Sequence, residues 1–167
     1  DVRAAVRNDA HKLIEEFMLA ANSAVAVMVS EKKVPFVYRV HATPPPDKIQ
    51  SLIELLKTLG IELSEDPKPA EIAAMLKNTP EKYRSLVNMA TLRSMSKAEY
   101  KTTNDGHYGL NFTDYCHFTS PIRRYPDLAA HRIIKQYMLD ASVVKQKFSL
   151  WVQDVARLSS ESERRAE

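Results

Sequence analysis

The chain has 167 residues, 44% of them apolar and 27% charged, an ordinary globular composition with enough apolar material for the core of one domain or of part of a larger one. Its net charge of +3 permits a polyanionic partner without demanding one. The single cysteine, Cys116, excludes an intrachain disulfide, and with it a disulfide-stapled secreted scaffold, and fits a reducing, cytoplasmic setting.

No apolar run reads as long enough to span a membrane. The first residues, Asp1-Val2-Arg3, carry neither an initiator Met nor a signal peptide. The last ones, Glu163-Arg164-Arg165-Ala166-Glu167, read as the interior of an unfinished helix. Both ends read as cut, so the chain is expected to be a piece of something longer.

In chain order, the spacing of Leu13, Ile14, Phe17, Met18, Ala21, Val25 and Met28 predicts an amphipathic helix over about Ala10 to Val29. Alternation of Phe36, Tyr38 and Val40 with Val37, Arg39 and His41 predicts a strand. Pro44-Pro45-Pro46 breaks any element and opens a helix with a stripe of Ile49, Leu52, Ile53, Leu56 and Leu59, closed by Gly60. A further helix is expected over Pro69 to Lys77, and another after Thr79 as N-cap and Pro80 as first helical residue. From Arg93 to Tyr100 the pattern turns strand-like, and Asn104-Asp105-Gly106 signals a turn. His107 to Thr119, rich in Tyr, Phe and Thr, reads as another strand. Two helices close the chain, from Pro121 to Leu139 and from Ser142 onward. The class is α+β with helix in excess and a few strands packed against helices.

The run Thr119-Ser120-Pro121-Ile122-Arg123-Arg124-Tyr125-Pro126-Asp127-Leu128 carries the chemistry. Thr119 or Ser120 as cap and Pro121 in the first turn would expose helix-terminal amides, which attract anions. Arg123 and Arg124 add forked donors that match two phosphate oxygens. The same residues also suit a plain structural turn, with the arginines facing solvent or acids. Asp127 and His131, four apart, are a helix-stabilising polar pair before they are metal ligands, because no third ligand stands at metal-site spacing.

The longer stretch from His107-Tyr108-Gly109-Leu110 through His117-Phe118-Thr119-Ser120-Pro121-Ile122-Arg123-Arg124-Tyr125-Pro126-Asp127-Leu128 to His131-Arg132 resembles a signature of the ribonuclease II / ribonuclease R (RNB) family of 3′-to-5′ exoribonucleases. Ile14-Glu15-Glu16-Phe17-Met18-Leu19-Ala20-Ala21-Asn22 and Glu163-Arg164-Arg165-Ala166 resemble family helices, and the likeness thins between about Pro44 and Leu92. The Arg-Arg-Tyr-Pro wording is closer to the ribonuclease R branch.

The resemblance implies processive hydrolysis of single-stranded RNA from its 3′ end, releasing nucleoside 5′-monophosphates. It maps the arginine that contacts the scissile phosphate onto Arg123. Arg124, with Ser120, Thr119 and Tyr125, would line the RNA path, and Glu15 (or Glu16, one residue on) would contact a terminal ribose, whose 2′-hydroxyl is the handle that tells RNA from DNA. His107, Tyr108, Tyr115 and His117 are weaker candidates for base stacking, and Cys116 is expected to be a small buried hydrophobe.

The family's magnesium ions are held by an aspartate cluster that this sequence lacks: Asp47, Asp66, Asp105, Asp114, Asp127, Asp140 and Asp154 stand singly. Residues 1–167 are therefore expected to be the C-terminal segment of one RNB catalytic domain. The metal-binding part and the OB-fold RNA-binding domains would lie elsewhere, and the segment alone would be inactive. The alternative is a non-catalytic RNB-like module that holds RNA or a protein. RNA is the expected partner and a membrane is not; the sequence leaves the oligomeric state open.

Overall fold

The computed structural model describes residues 8–166. The chain divides into two compact units. The first comprises the residues up to Val40, Glu99–Asn104 and the residues from Asp114 onward; the second comprises His41–Ala98 and Asp105–Thr113.

In the first unit, helix α1 runs Asp9–Glu31 and begins with a reciprocal cap: Asn8 Oδ1 accepts the His11 amide at 3.0 Å and His11 Nδ1 accepts the Asn8 amide at 3.3 Å. Strand β1 (Tyr38–Val40) pairs antiparallel with β2 (Glu99–Lys101), Arg39 standing opposite Tyr100. Helices α5 (Tyr125–Leu139), α6 (Val144–Phe148) and α7 (Trp151–Ala166) complete the unit. Their buried faces join Ala26, Val29, Phe36, Val40 and Cys116 in one apolar core with Ile133, Val144, Val152 and Val155. The edge of β2 is covered by α7, where the Ser160 hydroxyl accepts the Tyr100 amide at 2.8 Å and so satisfies a donor that an open edge would leave unpaired.

Although the sequence shows no evident membrane-length run, α1 is long and apolar enough to qualify: 23 residues, with mean hydropathy 1.5 over its best window. Only its C-terminal half packs into the core of the first unit. Asn22, Ala26 and Val29 are its buried residues, and Asn22 bonds to neighbouring chain through both its carboxamide atoms. The apolar stripe read from the sequence is only half used, since Leu13, Ile14 and Phe17 are more than half exposed.

The second unit is a helical cluster. Helix α2 (Pro46–Thr58) buries Ile49, Leu52, Ile53 and Leu56. It ends in a Schellman cap: Ile61 N donates to Leu56 O, Gly60 N donates to Lys57 O, and Gly60 takes φ +73°. Helix α3 (Pro69–Asn78) and helix α4 (Glu81–Ser94) pack Ile72, Met75 and Val87 against Leu52 and Leu56.

Several boundaries differ from the sequence reading. Thr79 does not cap α4; its hydroxyl donates backwards to Met75 O at 2.8 Å, and Pro80 stands at the cap. Helix α4 continues through Arg93 to Ser94, so the strand begins only at Glu99. Residues 107–119 are not a strand. Tyr108–Leu110 form a single 3₁₀ turn, and Asn111 is left-handed at φ +56°. The turn is fixed by imidazoles: His41 Nδ1 accepts the Gly109 amide at 2.9 Å and His107 Nδ1 accepts the Leu110 amide at 3.2 Å. A Cβ on Gly109 would stand 3.1 Å from His41 Nδ1, so only glycine lets the backbone approach that ring without displacing it.

Candidate nucleic-acid interface

The signature run lies in the first unit as an irregular loop between residues 115 and 124, and three side chains hold it. Asn22, almost fully buried on α1, accepts the Phe118 and Thr119 amides on Oδ1 at 3.0 and 3.2 Å and donates from Nδ2 to the Tyr115 hydroxyl at 3.1 Å. Asp127, fully buried in the first turn of α5, accepts the Ser120 amide at 2.8 Å. His131 Nε2 donates to Phe118 O at 2.9 Å while its ring stacks on Phe118 at 4.1 Å with the planes 2° apart. Three consecutive amides, 118 to 120, are thus bonded to side chains instead of to a strand partner, which is how a buried non-repetitive segment satisfies its backbone.

The helix cap lies further along than the sequence suggests. Helix α5 starts at Tyr125, with Arg124 at the cap and Pro126 in the first turn; neither Thr119, Ser120 nor Pro121 begins it. Ser120 O instead accepts the Arg123 and Arg124 amides at 3.3 and 3.1 Å, closing a turn whose tip carries Ile122 and Arg123. Nor do Asp127 and His131 pair with each other. Each is turned to the loop, and Asp127 takes a bidentate ion pair from Arg124, Nε and Nη2 both at 2.8 Å.

The arginine pair is therefore divided. Arg124 is four-fifths buried and has an internal counter-ion. Arg123 is exposed, and its guanidinium makes no hydrogen bond or ion pair with any described residue. Both line a cleft of about 600 Å³ together with Tyr100, Tyr125, Leu158, Ser159, Ser162 and Glu163. Glu163 is neutralised by Arg39 in a bidentate pair at 2.6 and 3.0 Å, and Arg39 lies over the Tyr100 ring, 4.7 Å from its centroid. The Tyr100 hydroxyl meets His117 Nδ1 at 2.9 Å. Burial pushes the Tyr100 phenol up from its ordinary value, with Arg39 pulling the other way. With both internal carboxylates paired, Arg123 is the cation the cleft offers to an incoming anion.

Of the other residues singled out in the sequence, Tyr125 is half exposed at the cleft and Ser120 is fixed in the turn beneath it. Thr119 is half-buried, its hydroxyl shielded and without a hydrogen-bond partner among the described residues. Glu15 and Glu16 lie on the exposed N-terminal half of α1 and do not line the cleft. His107 and Tyr108 belong to the second unit. Tyr115 and Cys116 are buried in the first unit. Ser159 and Ser162 were not picked out; their three-residue spacing on α7 puts both hydroxyls on one helix face, the signal that was available. Among the described residues no three His, Cys, Asp or Glu side chains come together as a metal site.

The RNB domain family matches residues 1–140. Ribonuclease R of Mycoplasmopsis pulmonis (strain UAB CTIP) is 43% identical over 159 residues, covering 90% of this chain and 22% of that protein. The structure of Mycoplasma genitalium RNase R in complex with ribose-methylated single-stranded RNA matches 96% of this chain and 26% of its own, with TM-score 0.87 and 30% identity. The structure of yeast Ssd1, a pseudonuclease, matches 93% of this chain and 21% of its own, with TM-score 0.71 and 24% identity, a likeness of fold. The chain thus spans about a fifth of the length of the curated relative it matches. With the family model matching residues 1–140 and the fold shared with ribonuclease R over 96% of its length, the chain belongs to the RNB domain family.

Proposed function

We propose that this chain is the phosphate-facing part of a 3′-to-5′ exoribonuclease: the C-terminal segment of an RNB catalytic domain that, within a longer cytoplasmic protein, hydrolyses single-stranded RNA one nucleotide at a time. The observation that carries the reading is Arg123, an exposed cation at the tip of a loop whose backbone is fixed by Asn22, Asp127 and His131. The fixed backbone brings the Arg123 side chain to the cleft, where a phosphate on which charge builds would engage its guanidinium more strongly than the ground state does.

In this reading water attacks the terminal phosphodiester, the new P–O bond forms as the bond to the 3′-oxygen breaks, and that oxygen leaves with a proton. Arg123 holds the phosphate oxygens. Arg124 keeps the turn in shape through Asp127, and Tyr125 offers a ring to a base. Thr119 and Ser120 form the floor under Arg123, and Glu15 reads the ribose at a point outside the cleft. Magnesium belongs to the proposal for the longer protein. The described residues hold no carboxylate cluster that fits it, and no step is assigned to the ion here.

In the full-length protein, Arg123→Ala is expected to lower kcat by roughly a hundredfold or more, while the Kd for a single-stranded RNA stays within about threefold because binding is spread over many phosphates. Unchanged turnover would overturn the assignment. In the same assay the 167-residue chain by itself is expected to release no nucleotide from 3′-labelled RNA in the presence of magnesium, and release would overturn that expectation.

A further inference from the structure

A second cleft in the first unit, further along α5, is built from a different set of residues. Arg132, Lys135, Gln136 and Leu139 stand at i, i+3, i+4 and i+7 and so share one helix face. With Lys147, Phe148 and Trp151 they enclose about 520 Å³. Three cations and no carboxylate line it.

Elsewhere in the unit Arg39, Arg124, Arg157 and Arg164 each pair with an acid, and Arg123 pairs with none among the described residues. Arg132 and Lys135 are exposed and make no side-chain hydrogen bond or ion pair with any described residue. Lys147 is held by neutral partners, 2.8 Å from Gln136 Oε1 and 5.5 Å from the Phe148 centroid, so its charge stays uncompensated at the cleft. Trp151 packs tilted on Phe148 at 5.4 Å and edge-on to Tyr125 at 6.5 Å. Tyr125 also lines the Arg123 cleft, so the Tyr125–Trp151 pair is a shared wall between the two.

We propose that this basic, aromatic cleft is a second contact site for single-stranded RNA, taking the part of the strand that passes Tyr125 from the Arg123 cleft. Phosphates meet Arg132, Lys135 and Lys147, and a base stacks against Trp151. An acidic peptide would use the three charges alone, whereas the half-buried Trp151 ring, backed by Phe148, suits a planar base. The inference rests on RNA being the ligand of the Arg123 cleft.

The chain has one tryptophan, so its fluorescence reports this cleft directly. The test titrates the 167-residue chain with a dye-labelled oligouridylate over a salt series, following dye anisotropy and Trp151 emission together. Binding is expected to quench Trp151. Replacing Arg132, Lys135 and Lys147 together by Ala, all three exposed, is expected to weaken binding roughly tenfold or more at 0.1 M salt and to reduce the salt slope by about 2. Far-ultraviolet circular dichroism of that variant checks that the helices are retained. Anisotropy that rises without quenching, with the triple variant binding like the parent chain, would overturn the second site and leave the Arg123 reading standing. A chain that binds no oligouridylate also overturns it, while the Arg123 reading keeps its own turnover test. Quenching by poly-glutamate at the same concentration would reassign the cleft to an acidic protein partner and overturn it as well.

Discussion

Cys116 and Asn22 are two small side chains on which the core of the first unit and its signature loop both depend. The Cys116 thiol is fully buried and donates to Asn22 O at 3.2 Å. Burial first, and the Asp127 carboxylate second, push it up to about 12, with Arg124 opposing. In the unfolded chain the thiol ionises from its ordinary value of 9.0. The native state therefore holds the proton longer: stability is complete below pH 9 and is lost as pH rises towards 12, by at most about 1.4 kcal/mol per pH unit. Tyr38 and Tyr100, also raised by burial, act in the same direction at higher pH. Urea midpoints should thus fall between pH 8.5 and 10.5, and Cys116→Ala should flatten the fall. Equal slopes in the two proteins would show that the thiol titrates freely. The sequence disclosed Cys116 as a buried hydrophobe. It did not disclose Asn22 as the acceptor of two loop amides, because a single Asn within an apolar helix carries no periodic signal of what lies across from it.

At the scale of elements, what was legible is what repeats. The stripe of α2 and the glycine after it are legible from spacing alone, as is the extent of α3, because local geometry decides them. Residues 107–119 were misread because Tyr, Phe and Thr favour strands only where a partner strand exists. Here the donors go instead to His41 and Asn22, partners distant in sequence, and to the His107 ring three residues away. The start of α5 slipped from Pro121 to Tyr125 for a related reason: two prolines qualified, and the buried Asp127, by binding the Ser120 amide, selects the later one. Two glycines separate conformational cost from steric cost. Gly60 has φ +73° and open space around its missing side chain, so Gly60→Ala is expected to cost about 1 kcal/mol. Gly106 has φ +78°, and a Cβ there would stand 3.2 Å from Phe112 O, a backbone atom that cannot swing aside. Gly106→Ala should therefore cost roughly 2 kcal/mol or more. Equal costs in thermal or urea unfolding would remove the steric part of that account.

For the whole molecule, family membership and fold agree, and neither decides turnover. The same frame is found in ribonuclease R and in a pseudonuclease, so activity has to be argued from residues such as Arg123. The arginine was legible because a motif carried it. Its separation from Arg124, and the Ser159–Ser162 wall, required the cleft to be seen.

The pairing of β1 with β2 also has a kinetic consequence. Val40 meets Glu99 across the ladder, so the small sheet can close only when the two ends of the intervening segment come together. Much of that segment, α2 to α4, is held by contacts between neighbouring helices, which form with short loops and low entropic cost. Once collapsed, it brings its own ends near each other and shortens the search that strand pairing would otherwise face. In pulse-labelled hydrogen exchange during refolding, the amides of Leu56 and Val87 are expected to gain protection before that of Tyr100. Simultaneous protection would mean that the sheet nucleates with the helices. The helical segment between the strands would then set the pace at which the first unit is completed.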